Sequence, residues 1–287
     1  MKEDSPVITS TRNRRIVEAR KLDQRKHRQR QGRFLVEGLQ ILHMALDAAQ
    51  AAAQAAAKVA RTHPLEVFYC KDLFVGTEAP TLLERFRQTD AELVPVAEHV
   101  MESLSERDAP QGIVATFTLS EAPFEKLWLH GDGLVVVLDR LQDPGNLGTL
   151  IRTADAVGAA AVILIEPCVD PFDPKTVRGS MGSLFNLPLA RTSDVPVLFD
   201  RLRSHGLRSV GADAHQGRAW WQDLWKGGVA LILGNEAQGL SEDVRPHVEE
   251  WARLPIVGKA ESLNVAIAGG VLMYEWLRAN LDKNVQE

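Results

Sequence analysis

Cysteine is scarce in this chain of 287 residues: Cys70 and Cys168 are the only two, and they form no CxxC pair and have no neighbouring histidine pair. A disulfide framework and a zinc site are therefore not expected, and both thiols read as buried. Long apolar runs are missing too, so no membrane-spanning helix is expected. The opening MKEDSPVITSTRNRR lacks the apolar stretch of a signal peptide, which makes the cytoplasm the expected compartment. Several enzyme signatures are absent. No GxGxxG follows the first strand of either half, and neither GxxxxGKS nor GxxxxGKT occurs, which removes the usual phosphate-cradling loops of dehydrogenases and kinases. HExxH and GxSxG are also missing, and the eight histidines are scattered singly.

What is present is a chain long enough for two domains with 45% hydrophobic residues, sufficient for packed cores. The net charge is −5, yet its distribution is uneven. Between Thr11 and Arg33 the cations Arg12, Arg14, Arg15, Arg20, Lys21, Arg25, Lys26, Arg28, Arg30 and Arg33 face only Glu18 and Asp23. Such an excess displaces counterions from phosphates, although a solvated helix face has the same composition.

Pattern divides the chain near residue 120. In the first part an apolar helical stretch after Arg33 runs into an alanine-rich tract, a strong helix former without chemistry of its own. LEVFYC, ELVPVA and GIVATFTL read as strands separated by the helical TLLERFRQT and VMESLSE, giving a small α/β lobe. After the punctuated segment 119–132, GLVVVLDRL, AAVILIEP, SVGADA, GVALILGN and WARLPIV supply strands between helical stretches. Strands apolar on both faces imply a mostly parallel sheet covered on both sides, whose ligands bind at the carboxyl ends of the strands. Trp220, Trp221 and Trp225 lie at helical spacing and are expected to pack.

Three loops at such strand ends carry the chemical signal: Asp143-Pro144-Gly145-Asn146 continuing to Arg152, Gly234-Asn235-Glu236, and Gly258 to Asn264 before an apolar helix. Each alone has a structural explanation. Asn146 caps or begins a helix, Gly234 allows close backbone approach, and Ser262 is expected to cap the last helix with Asn264 in its first turn.

Taken in order, DPGNLGTLIRTAD, LGNEAQGL and LPIVGKAESLNVAIA resemble the three signature motifs of the SpoU (TrmH) RNA methyltransferases of the SPOUT superfamily, from Leu134 to the end of the chain. Ala237 stands where many members have glycine, and Ala266 where some have serine. The segment DPKTVRGSMGSLFNLPL, with Arg178, Ser180 and Gly182, is similar to the family's stretch between its first two motifs. NRRIVEARKL and GRFLVEGLQIL resemble its N-terminal substrate-binding domain.

The resemblance implies an α/β protein whose C-terminal SPOUT domain holds a mostly parallel sheet and a deep trefoil knot, preceded by a small α/β substrate-binding domain. The expected boundaries are 1–122, a linker at 123–132, and 133–287. It implies transfer of a methyl group from S-adenosylmethionine to a ribose 2′-hydroxyl, with large-subunit ribosomal RNA the expected substrate. A transfer RNA enzyme and an inactive RNA-binding relative are the alternatives. Implied catalytic residues are Arg152, Asn146, Glu236, Ser262 and Asn264; cofactor contacts are Leu233, Gly234, Ile256 and Leu263. The basic arm then reads as an RNA surface with Arg12, Arg14, Arg15, Arg25, Lys26 and Arg28, joined by Arg178. The family also implies a homodimer through the catalytic domain, and the helix from Val271 to Leu277 with Trp276 reads as either interface or core.

Overall fold

The structure, a computed structural model, describes residues 6–54, 62–127, 129 and 131–281; part of the alanine tract lies outside the described residues. The chain divides into two compact units, Met1–Ser120 with Phe172–Asn186, and Glu121–Pro171 with Leu187–Glu287.

In the first unit, α1 (Arg14–Arg20) and α2 (Arg25–Gln31) lead into β1 (Arg33–Glu37). There follow α3 (Leu39–Gln54), β2 (Pro64–Tyr69), α4 (Glu78–Arg87), β3 (Glu92–Pro95), α5 (Glu98–Leu104) and β4 (Ile113–Thr118). The strands form one sheet in the order β1-β4-β2-β3, antiparallel except for the β2 and β3 pair. The three strands read from the sequence are present. β1 was hidden because its residues run straight into the apolar start of α3 and read as part of that helix. Ile16, Phe68, Val94, Val100, Met101 and Val114 make one core cluster. Phe34 packs against Phe172 and Phe117 against Phe185, with ring centroids 4.8 and 5.2 Å apart.

The second unit runs through β5 (Leu134–Asp139), α6 (Pro144–Ala156) and β6 (Ala161–Ile165). Between β6 and β7 the chain forms α7 (Pro174–Gly179), within the segment that belongs to the first unit. The second unit resumes with β7 (Leu189–Thr192), α8 (Val195–Ser204), β8 (Arg208–Ala212), β9 (Arg218–Ala219), β10 (Val229–Leu233), β11 (Glu250–Arg253) and α9 (Val265–Asn280). Its sheet has the order β7-β6-β5-β10-β8-β11-β9, and every neighbouring pair is parallel. Every residue of β5, β6 and β10 is buried, which is why these strands are continuous apolar runs. Each buried Val, Leu or Ile among them contributes about 1.5–3 kcal/mol.

β7 escaped the sequence reading because it is short and carries Arg191. That guanidinium is neutralised by groups distant in sequence, Glu121 at 2.6 Å, Asp170 at 3.2 Å, and Glu166. Both cysteines are buried and free, and burial pushes the Cys168 thiol up to about 11. Among the described residues no helix is long and apolar enough to cross a membrane.

Candidate active site

The carboxyl ends of β5, β10 and β11 release the three signature loops on one edge of the sheet. In the first, the Asp143 carboxylate caps α6, accepting from the Asn146 backbone N–H at 2.8 Å, with Pro144 opening the helix. This fixes where the Asn146 side chain leaves the helix.

The second loop is locked by its own polar groups. Asn235 and Gly239 exchange backbone hydrogen bonds at 2.9 Å each, and the Asn235 side chain accepts from Ala237 and Gln238 while donating to the Arg140 carbonyl at 2.9 Å. A Cβ on Gly234 would lie 2.3 Å from the Gly239 carbonyl carbon. Glycine is therefore required there by the loop folding back on itself. Arg140 holds φ 56°, a left-handed conformation that costs about 1–2 kcal/mol and aims its carbonyl at Asn235. The fully buried Asp139 accepts from Ser241 N–H at 2.6 Å. Sequence reasoning gave no role to Asp139, Arg140, Asp143 and Asn235; only Asp143 offered a usable signal, as an Asp-Pro pair at a helix start.

The third loop ends in α9, whose N-cap is Asn264: its side chain accepts from Ala266 and Ile267 at 2.8 and 3.3 Å. Ser262 lies two residues before the cap and is exposed, so the expected cap has moved to Asn264. α9 packs closely on α6 and β10, where a Cβ on Gly269 would come within 2.6 Å of both Leu150 and Leu233.

The loops meet at Asn146. Its amide nitrogen donates to Glu236 at 3.0 Å, and its amide oxygen accepts from Asn264 at 2.9 Å. Glu236 also accepts the backbone N–H of Gln142 and Asp143 at 3.4 and 3.3 Å. Beside this junction is a cavity of ≈ 570 Å³ lined by Leu233, Gly234, Ile256, Leu263, Glu236 and Ser262, among others. All four expected cofactor residues therefore line one cavity with two of the expected catalytic ones. Asn146 reaches it through Glu236, and Asn264 through Asn146. Arg152 stands apart: it is exposed on α6 and makes no hydrogen bond or ion pair among the described residues. A cavity of this size, lined by apolar side chains together with polar ones such as Asp213, Gln216, Arg245 and Glu261, fits a nucleoside-sized ligand.

Comparison with known proteins decides the family. Residues 133–274 match the model of the SpoU rRNA methylase family, and 13–115 match that of the MRM3-like substrate-binding domain. The chain is 34% identical to an uncharacterized tRNA/rRNA methyltransferase of Synechocystis, covering 95% of this chain and 93% of that protein. It is 32% identical to the 23S rRNA (guanosine(2553)-2′-O)-methyltransferase RlmP of Bacillus subtilis, covering 93% and 97%. The crystal structure of an AdoMet-bound rRNA methyltransferase from Sinorhizobium meliloti superposes with a TM-score of 0.83 at 31% identity, covering 96% and 99%.

The chain belongs to the SpoU rRNA methylase family. Membership identifies it as an S-adenosylmethionine-dependent RNA 2′-O-ribose methyltransferase.

Within this SpoU protein the basic arm is partly scaffold. Arg28 is 2% exposed and donates to the carbonyls of Leu22 and Asp23 at 2.8 Å each, so it is no surface cation, contrary to the sequence reading. Arg15 pairs with Glu92 and Glu66, and Arg178 pairs with Glu106. Arg25 and Lys26 are exposed. Arg12, Arg14, Arg20 and Lys26 are exposed with no side-chain partner among the described residues.

Proposed function

We propose that this methyltransferase acts on a nucleotide of 23S ribosomal RNA, with residues 1–122 binding RNA, 123–132 linking, and 133–287 carrying out the transfer. The observation that supports this most is the Asn146 junction, which ties the three loops together at the rim of one cavity. Polar groups fixed before substrate arrives leave little reorganisation for the transition state. The choice of RNA follows the Bacillus subtilis relative, whose name specifies 23S rRNA. A ribosomal substrate makes the cytoplasm the compartment.

S-adenosylmethionine, when bound, supplies a sulfonium methyl carbon open to in-line attack. Leu233, Gly234, Ile256 and Leu263 hold it in the cavity, while Glu236, Ser262, Asn264 and Asn146 orient the ribose. Arg152 carries a guanidinium that keeps its proton in proteins. Its role in this reading is to stabilise the developing 2′-alkoxide and hold the neighbouring phosphate, without removing a proton. The loops after β10 and β11 carry the trefoil knot that the resemblance implies.

The homodimer is part of the same proposal. Ile267, Val271 and Tyr274 of α9 are 58, 36 and 53% exposed and follow one another at helical spacing, an apolar stripe that a second copy covers. Trp276 is not on it: it is buried and donates to the Gly227 carbonyl at 3.0 Å.

The deciding experiment is transfer of labelled methyl to separated pools of unmodified ribosomal and transfer RNA, followed by nucleoside identification. Label on a ribose 2′-oxygen of 23S rRNA is expected. Label confined to transfer RNA overturns the substrate, and no transfer despite cofactor binding favours an inactive RNA-binding relative.

A further inference from the structure

The three tryptophans expected to pack together do not behave alike. Trp225 is buried, and its indole N–H donates to the Trp220 carbonyl at 2.6 Å. Trp221 is 57% exposed. Its exposure is not that of a loose loop. The Trp220 ring meets it edge-on, with centroids 6.1 Å apart and planes at 85°. Trp220 is itself pinned, its N–H donating to the Arg253 carbonyl at 3.1 Å and its carbonyl accepting from Trp225. A large indole is thus held in water against a half-buried one.

Topology sets that ring on the working edge of the sheet. β9 runs parallel to β11, with Ala219 paired to Arg253, so the chain leaving β9 emerges beside Leu254 and Ile256, which line the cavity. Arg253 ends β11 opposite Ala219, and Lys259 lies in the loop that follows β11. Arg253 and Lys259 are exposed and have no side-chain partner among the described residues, whereas Arg218 is tied to Glu250 at 2.7 Å. An exposed aromatic face next to uncommitted cations is what a single RNA strand requires: the ring takes one base, and the charges take the backbone. A paired base offers no face to such a ring.

We propose that Trp221 is a stacking platform for an unpaired base of the substrate RNA close to the methylated nucleotide, with Arg253 and Lys259 serving the backbone of the same strand. The inference rests on the reading of this chain as an RNA methyltransferase.

The test uses the full chain and a fluorescein-labelled oligouridylate, followed by anisotropy and by quenching of tryptophan emission. Trp221→Ala is expected to weaken binding about tenfold and to remove most of the quenching, while Trp221→Phe recovers most of the affinity. Affinity for S-adenosylmethionine stays the same in all three proteins. Arg253→Ala is expected to reduce the slope of log affinity against log salt by about 0.7. Equal binding by wild type and Trp221→Ala overturns the proposal, as does weaker binding that comes with altered sedimentation, since Trp221 then covers a protein contact. Binding is read without methyl transfer, so a wrong substrate assignment leaves this measurement intact.

Discussion

Asn146 and Glu236 lie 90 positions apart in the chain and meet amide to carboxylate at 3.0 Å. Because Asn146 spends its amide oxygen on Asn264 at the same time, a change at this residue disturbs all three loops at once. Asn146→Asp sets a second carboxylate against Glu236 and removes the donor. Turnover is expected to fall on the order of 10²-fold. Cofactor affinity, measured by calorimetry, is expected to fall as well, because Glu236 and the loops that line the cavity shift with it.

Arg152 is exposed and uncommitted, so its removal leaves stability within about 0.5 kcal/mol while methyl transfer falls on the order of 10²–10³-fold. Arg152→Lys keeps a cation and is expected to retain part of the activity, most visibly at high pH. Single-turnover rates across pH check this. Complete loss in the lysine variant, with RNA and cofactor binding intact, would count against charge stabilisation as the role.

Arg28 and the exposed arginines of the same arm are expected to part company. Arg28→Ala strips a charged donor from two carbonyls in a buried site and lowers stability by about 2–4 kcal/mol in urea unfolding. Arg12→Ala with Arg14→Ala leaves the unfolding midpoint nearly unchanged. That pair instead weakens RNA binding and reduces its salt slope by about 1–2.

Cys168 offers a pH test. Its thiol rises from 9.0 to about 11 through burial, so the folded protein keeps a proton that the unfolded chain releases. The stabilising contribution is complete below pH 9 and is lost as pH climbs from about 9 to about 11. Native protein at pH 8 is expected to leave Cys168 unlabelled by a thiol reagent that modifies it after denaturation.

The sequence disclosed what local pattern encodes. β5, β6 and β10 were legible as unbroken apolar runs because burial on both faces leaves no alternation to misread. β1 and β7 were not: one merges with an apolar helix, and the other carries an arginine whose three carboxylates come from elsewhere in the chain. The site divides the same way. Motif order marked Asn146, Glu236 and Asn264, but their hydrogen-bonded union through one amide is tertiary. Arg28 misled the reading because composition cannot separate a cation in water from one folded onto carbonyls. Trp221 misled it in the opposite sense.

Phe172 and Phe185 pack against Phe34 and Phe117, and Phe172–Asn186 belongs to the first unit although the strands β5 and β6 precede it in the chain. The consequence is one of timing during synthesis. When Ser120 leaves the ribosome, the aromatic cluster of the first unit still lacks two of its rings. At about 5–20 residues per second, the missing pair follows only after several seconds, once part of the second unit has been made. A nascent chain that stops short of Phe172 therefore leaves Phe34 and Phe117 without the two rings that pack on them in the finished fold.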